Sequence, residues 1–529
     1  MSPFPNTNAL LLGLALGLLA LCAPSSAARS WVPEPRPVKA DSLVGAYYFP
    51  GWSDVSRWYC IAASETAQHP LLGYYREGDP DAADWHIKWA LEHGISFFAF
   101  DFYTSGGSQM LETALDEGFL KAKYIDRFKF CLNWCNHAET STMTDEELDR
   151  FGELVVKKYL THPSYLRIDG KPVVMILIGA GYVRNLGVEG AKKAFGRFER
   201  KCVDAGLPGV YLVFCEGAIG SGQDMSDSFA AGCRAFCRYN FPYAGTDCTG
   251  PGKHAEATYE HLLQQGKELA DHWRKLTGGR FWPTVMPGWD RRPWTKDNDL
   301  IRTGPTPEIF GQGLRAAKAR MNSDRIVMIE AWNEWGEGSV LEPSVEHGFA
   351  YLDQVREVFC PNAGDHRDDN PRSLGLRRPV FDLDLPRNLP SVSAWRFDFD
   401  TQGWTGSGVS GLTAVWGALT MTTTTTDPQI TSPVTYLACK DHPRMRIRMR
   451  ATPVEKGSAS ATGQVFWSTI DKVMGEQTSI GFAVPLDGQW HDYDLDLASR
   501  AGWTGRADRL RLDPVDAAGV KVEVDEISL

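Results

Sequence analysis

Near the end of the first two thirds of the chain stands Glu330-Ala331-Trp332-Asn333-Glu334-Trp335-Gly336-Glu337-Gly338, with Glu342 close behind. Glu334 and Glu337, spaced three apart and bracketed by Trp332, Trp335 and two glycines, have the make-up of a site rather than of a solvated turn. Cleaving a glycosidic bond takes a proton for the departing oxygen and a basic carboxylate on the sugar side, and the two groups must differ in pKa to coexist at neutral pH. Like charges this close separate their pKa values unaided, because the first ionisation opposes the second. A flanking indole excludes water and raises the acid, and glycine lets backbone and sugar approach closely. Metal-assisted hydrolysis is the weaker reading. His137 has no partner in an HExxH-type pair, and neither Cys131 with Cys135 nor Cys233 with Cys237 has a second Cys or His pair to complete four ligands. No metal ligands and no cofactor are assigned.

Such a pair needs a rigid seat. From Leu43 to Phe359 short apolar runs alternate with helical stretches, the pattern of a parallel sheet with crossover helices. The runs are Val44–Phe49, Ile95–Tyr103, Phe128–Trp134, Pro172–Ile178, Val210–Phe214, Cys233–Tyr239, Phe281–Met286 and Arg325–Ala331. Ile95–Tyr103 is too continuously apolar for a half-wet strand and reads as buried on both faces. Thr144-Asp145-Glu146-Glu147 is a capping box, and Thr306-Pro307 an N-cap with Pro at the first helical position. Eight such runs predict an α/β fold, a (β/α)8 TIM barrel. A doubly wound open sheet is the alternative, weakened because no strand leads into a phosphate-binding glycine loop.

In a barrel the chemistry gathers where strands end. Those ends carry Tyr47, Tyr48 and Trp52; Asp101 and Tyr103; Asn133, Trp134 and Asn136; Glu216; Tyr239 and Tyr243; Trp289, Asp290 and Arg291; and Trp332, Asn333, Trp335 and Glu342. Glu334 and Glu337 are the catalytic candidates. Substrate contacts are expected from Tyr47, Tyr48, Trp52, Asp101, Tyr103, Asn133, Trp134, Asn136, Tyr239, Trp289, Asp290, Trp332, Asn333, Trp335 and Glu342. Each has a plainer reading as core, above all Tyr47, Phe98 and Phe100. Asp101 lies within an apolar strand, where an acid is costly unless paired or functional.

The remaining sequence sets the context. The chain has 529 residues and a net charge of −11, with no basic block for nucleic acid or an anionic membrane. An apolar stretch from Ala9 to Leu21 followed by small residues predicts a cleavable signal peptide over 1–28, too short to span a bilayer, and hence a secreted or periplasmic protein. Ten cysteines then remain in a compartment that permits disulfides. The catalytic domain is placed at 29–360. Residues 361–391, with five prolines, read as a linker or a strap over the barrel. In 392–529 strands alternate in period two, as in Arg444-Met445-Arg446-Ile447-Arg448-Met449-Arg450, which predicts an antiparallel sandwich. Trp404, Trp416, Trp467, Trp490 and Trp503 are its candidate sugar platforms, with core packing the plainer role.

Ala46-Tyr47-Tyr48-Phe49-Pro50, Phe98-Ala99-Phe100-Asp101-Phe102-Tyr103, Cys131-Leu132-Asn133-Trp134-Cys135-Asn136, Pro287-Gly288-Trp289-Asp290, and Trp332 to Gly338 with Leu341-Glu342-Pro343 together resemble the glycoside hydrolase family 99-like domain. That group includes endo-α-mannosidases and bacterial WbsX-like proteins of polysaccharide gene clusters. The resemblance implies a retaining α-glycosidase that needs no metal. It places assistance to the sugar 2-hydroxyl on Glu334 and general acid and base work on Glu337. The endo-mannosidases carry a His where Gly336 stands, so the likeness is to the WbsX-like branch and mannose is not implied. The C-terminal region loosely resembles jelly-roll carbohydrate-binding modules. The expected activity is hydrolysis of α-glycosidic bonds in a polysaccharide or oligosaccharide. The alternatives are a WbsX-like glycosyltransferase of polysaccharide biosynthesis and a non-catalytic glycan-binding protein.

Overall fold

Each of the eight apolar runs forms a strand, and together they close on themselves. In the computed structural model, residues 32–52, 57–105, 108–136, 143–217, 221–248, 252–296, 298–376, 392–415, 417–454, 459–470 and 472–529 are described. The expected leader, His137, Trp416 and the second half of the expected linker lie outside them. The strands are β1 (Leu43–Tyr48), β2 (Phe97–Ser105), β3 (Lys129–Trp134), β4 (Lys171–Leu177), β5 (Tyr211–Cys215) and β6 (Ala235–Cys237). They continue with β7, in two pieces (Phe281–Trp282 and Thr284–Val285), and β8 (Ile326–Ile329). Every neighbouring pair is parallel, and β8 returns to β1 with Leu43 opposite Ile326. Pro283 splits β7 because it has no N–H to give to a ladder; the first piece pairs with β6, the second with β8. Closure makes this a (β/α)8 barrel and rules out the open doubly wound sheet.

The outer layer is helical: α1 (Pro80–Glu92), α2 (Asp145–Val155), α3 (Gly179–Asp204), α4 (Gly222–Ala231), α5 (Tyr259–Leu276), α6 (Pro307–Lys318) and α7 (Ala350–Phe359). Between β2 and β3 the chain passes through irregular helical turns at Ala114–Gly118 and Phe119–Lys121. Thr144 caps α2 as expected, accepting from the Glu147 N–H at 3.3 Å. The Glu147 carboxylate, however, reaches the Met143 N–H at 2.9 Å. Phe98 and Phe100 pack on Phe128 and Phe119 with ring centroids 4.7 and 4.9 Å apart, in the layer between sheet and helices.

Residues 394–528 form two six-stranded antiparallel sheets face to face. In Arg444–Pro453, Met445, Ile447 and Met449 enter the core while the arginines face out to Asp492, Asp494, Asp525 and Glu523. Trp404, Trp467 and Trp503 are core residues, so they offer no sugar platform. Trp490 is half-buried beneath Arg448 and Arg450. The sandwich meets the barrel through the Lys296–Asp508 ion pair at 2.7 Å and an edge contact between Tyr59 and Tyr436. The ten cysteines after Cys22 are unpaired thiols, all buried but Cys60, in place of the disulfides that their even number suggested. No helix among the described residues is long and apolar enough to cross a membrane.

Trp467 is fully buried and donates its indole N–H to the Gly502 carbonyl at 3.0 Å. Trp467→Ala is expected to cost the sandwich about 3–5 kcal/mol, the usual loss for a buried aromatic, read as a lower urea midpoint for the sandwich transition of the full chain.

Candidate active site

Beyond β8 the chain turns across the barrel's C-terminal rim as a hairpin, β9 (Asn333–Glu334) against β10 (Ser339–Val340). Asn333 anchors it. Its Oδ1 accepts the Phe49 N–H at 2.8 Å, and its Nδ2 donates to the Phe49 carbonyl at 3.0 Å and to Glu77 at 3.1 Å. The hairpin tip is held by the Asp290 N–H donating to the Glu337 carbonyl at 2.7 Å. Gly338 has φ +65°, and a Cβ there would come within 2.8 Å of the Asp290 nitrogen. At Gly336 the volume of a side chain is taken by the indole of Trp294, 1.9 Å from where a Cβ would stand. The glycine that departs from the endo-mannosidase pattern is thus matched by a tryptophan leaning over the hairpin.

Glu334 and Glu337 open on one cleft of about 980 Å³. Its floor and walls include Asp101, Tyr103, Tyr239, Phe49, Arg57 and Trp294, and its far rim is Val434, Tyr436, Ser468, Asp508 and Arg509 of the sandwich. The Tyr239 hydroxyl lies 2.7 Å from Asp101 Oδ2 and 3.1 Å from Glu334 Oε1. One hydroxyl has one hydrogen, so it donates to one carboxyl and accepts from the other, which must then be protonated. Asn133 Nδ2 donates to Asp101 Oδ1 at 2.8 Å. Glu334 Oε2 is buried and has no hydrogen-bond partner. Arg291 stands against Glu337 at 3.2 Å and against Asp299 at the same distance.

Burial dominates the electrostatics. It pushes Asp101 up to about 7 against the stabilising bonds from Asn133 and Tyr239. Glu334 is held well above the usual carboxylate range, first by burial and then by the charges of Glu337, Asp101 and Glu330. Glu337 is raised to about 7 by burial, while the Arg291 guanidinium opposes that rise. The two glutamates therefore sit in different fields: a cation faces Glu337, and other carboxyls face Glu334.

The other expected residues separate into two groups. Asp101, Tyr103 and Tyr239 line the cleft with the glutamates. The rest lie behind the residues that line the cleft. Tyr47 lies beneath Tyr239, its hydroxyl donating to the Arg238 carbonyl at 2.9 Å. Tyr48 turns outward to His86 Nδ1 at 3.1 Å, and Glu342 is held by the Tyr75 hydroxyl at 2.7 Å and His86 Nε2 at 3.1 Å. Trp52 stacks on Trp58 at 4.1 Å and donates to the Asn333 carbonyl. Trp134 stacks on Phe151 at 3.9 Å, between sheet and helix, and Trp332 packs against Phe98 at 4.9 Å. Trp289, Trp335 and Asn136 are buried, and Asp290 is paired with Arg292. Asn133 and Asn333 act through Asp101 and the hairpin. Tyr47, Tyr48, Trp52 and Glu342 are held there by hydrogen bonds, whereas Trp289, Trp332 and Trp335 are held by packing alone. Glu216 accepts the Ala180 N–H at 2.7 Å, and Tyr243 donates to Asp299 at 2.8 Å.

Arg291, Trp294, Phe49, Arg57 and Glu330 were not expected as site residues. Glu330 is fully buried beneath the pair, its Oε2 accepting from Ser339 at 2.8 Å. It directly follows an apolar strand, where Asp101 lies within one, and the same argument about a buried acid would have singled it out.

The fold and site together define a closed (β/α)8 barrel with a cluster of buried carboxyls over its C-terminal rim. Comparison narrows it. Residues 49–355 match the profile of the family described as glycosyltransferase WbsX, and the chain belongs to that family. Among curated proteins it is 26% identical over 363 residues to an uncharacterized protein WxcX of Xanthomonas campestris pv. campestris, a match covering 64% of this chain. The chain spans about half the length of the curated relatives it matches, 50% for that protein. Among solved structures, a glycoside hydrolase-like protein is 20% identical, with a TM-score of 0.47, over 62% of this chain and 98% of the other. The family 99 endo-α-mannosidase of Bacteroides thetaiotaomicron is 17% identical, with a TM-score of 0.43, over 60% and 97%.

Because Glu334 is raised in the folded chain, the native state binds its proton more tightly than the unfolded chain does, and stability falls as pH rises above the ordinary glutamate range. Glu334→Gln removes that loss. The variant is expected to melt higher than the parent at pH 8, by the equivalent of roughly 0.5–2 kcal/mol, and to lose this advantage near pH 4. Scanning calorimetry at the two pH values checks it.

Proposed function

We propose that this chain is an enzyme that cleaves α-glycosidic bonds in a polysaccharide or oligosaccharide with retention of configuration. The observation that carries the reading is that Glu334 and Glu337 open on one cleft from one hairpin, in different electrostatic surroundings. The cleft's size and its continuation onto the sandwich suit a substrate of several sugar units. The motifs shared with family 99-like domains supply the roles. Glu337 gives its proton to the glycosidic oxygen as the bond from C1 breaks. Glu334 takes the proton of the 2-hydroxyl, whose oxygen bonds to C1 to form an anhydro sugar. The reacting arrangement, Glu337 protonated and Glu334 ionised, is the reverse of the one the empty cleft favours, so the proton held by the pair passes from Glu334 to Glu337 before the bond breaks. Water then opens that ring, losing its proton to Glu337, while Glu334 returns its own to O2. The starting protonation states of both glutamates are restored.

The transferase reading comes from the description of the family. An extracytoplasmic location, expected from the leader, favours hydrolysis, since nucleotide-sugar donors are cytoplasmic. The test is product release from a panel of α-linked bacterial, algal and plant polysaccharides by the parent and by the Glu334→Gln, Glu337→Gln double variant. New reducing ends from the parent alone, with at least about a hundredfold loss in the variant, support hydrolysis. Transfer from a nucleotide sugar, with no hydrolysis, would replace it.

Arg291 stabilises ionised Glu337, so the first proton lost from the pair leaves more easily than burial alone would allow. Arg291→Gln removes the cation and makes that first loss harder. The acid limb of the activity profile, which belongs to the pair as a unit, is expected to move about one unit to higher pH. A pH series of kcat/KM on the panel's best substrate measures it.

A further inference from the structure

We infer that the opposite end of the barrel holds a divalent transition metal, of the zinc class, bound by His93, His366 and Asp368. His93 follows α1 and lies four residues before β2 begins, on the N-terminal rim, away from the cleft. His366 and Asp368 belong to the strap that follows α7, and Asp353 to α7 itself. Donor atoms of His93, His366 and Asp368 all lie within 4.8 Å of one another. His366 Nε2 is 3.0 Å from Asp368 Oδ1, and His93 Nε2 is 3.6 Å from Asp353 Oδ1. Two ligands on a tetrahedral ion with bonds of about 2.0–2.1 Å stand roughly 3.3 Å apart, between those two separations.

The orientation of His93 is the second, independent observation. Its Nδ1 is 2.7 Å from the Trp89 carbonyl, an atom that can only accept. Nδ1 therefore carries the proton, and in the neutral ring Nε2 presents a lone pair. That Nε2 is fully buried, has no hydrogen-bond partner, and points at carboxylate oxygen. A buried lone pair facing carboxylate oxygen is repulsive unless a cation lies between them; the Asp353 and Asp368 side chains themselves are half-exposed, which leaves the ion a way in. An imidazolium would serve less well, because 3.6 Å to Asp353 is beyond hydrogen-bond range. His366 Nε2 meets Asp368 alone, at 3.0 Å. Two imidazoles with carboxylates select zinc-like ions over calcium or magnesium, which take all-oxygen sets.

The ion's effect is to pin the strap. Trp89, one turn before His93, donates its indole N–H to the Asp369 carbonyl at 2.9 Å, and Arg356 donates to the Gly364 carbonyl at 2.7 Å. The metal ties the same segment to the same helix.

The test uses the full chain, free of any affinity tag, stripped with EDTA and dialysed against ZnCl2, with bound zinc counted by elemental mass spectrometry. The parent should take up about one zinc per chain and melt at a higher temperature with zinc than without. His366→Ala and Asp368→Asn lie on the strap, outside the barrel core; each should weaken zinc binding at least about tenfold and abolish the zinc-dependent rise in melting temperature, with unchanged far-ultraviolet circular dichroism. No zinc above background in the parent, or uptake by both variants equal to the parent's, would overturn the site.

Discussion

Four carboxyl groups, Asp101, Glu330, Glu334 and Glu337, are taken out of water within the mouth of an apolar barrel, and the rest of the site is arranged around that cost. An isolated carboxylate in such a place is expensive, so each either keeps its proton or finds a donor. Asn133 and Tyr239 serve Asp101, Ser339 serves Glu330, and Arg291 serves Glu337. Glu330 and Glu334 each keep one oxygen without a protein partner. For Glu334, one oxygen meets Tyr239 and the other meets nothing in the protein. Of the two, Glu334 lines the cleft and Glu330 does not, so its unpartnered oxygen is the one open to a ligand.

The hairpin that bears the glutamates is immobilised from below by the same means. Asn333 ties it to the end of β1, and Glu77, itself buried, accepts from both Asn333 and the Trp52 N–H. Behind them Trp52, Trp58 and Trp294 form a run of stacked or near-stacked indoles, with Trp335 against Trp58. These flat side chains fill the space between hairpin and helices at little entropic cost, because each has only two side-chain torsions to fix. The sandwich adds the far rim, locked to the barrel at Lys296 and Asp508, a pair that also borders the cleft. The C-terminal region is thus a wall of the site as well as a separate pair of sheets.

The barrel was legible because burial on both faces leaves a mark that cannot be disguised: Phe97-Phe98-Ala99-Phe100 has no wet side. That Glu334 and Glu337 share a cleft was legible because two carboxylates three residues apart, bracketed by Trp332, Trp335 and two glycines, suit a site better than a solvated turn. The tryptophans themselves were not. Trp52, Trp134, Trp289, Trp332 and Trp335 have the same side chain whether they stack on a sugar or on Trp58 and Phe151, and only the neighbour in space decides. Arg291 was noticed in its motif, but its pairing with Glu337 joins two loops that sequence spacing does not connect. His93 and His366 are separated by most of the barrel and meet only because the strap returns to α1. The unpaired cysteines show the limit of counting: an even number says nothing once each thiol is packed as a small apolar group.

The central claim is that burial keeps this carboxyl cluster partly protonated at neutral pH and that Arg291 decides which glutamate ionises first. Infrared difference spectroscopy across a pH titration, with the Glu334→Gln and Glu337→Gln variants used to assign the carboxyl stretches, tests it without any substrate. The Glu337 band should be lost near pH 7 and the Glu334 band above it. Loss of both bands near the ordinary glutamate value of about 4.3 would contradict it.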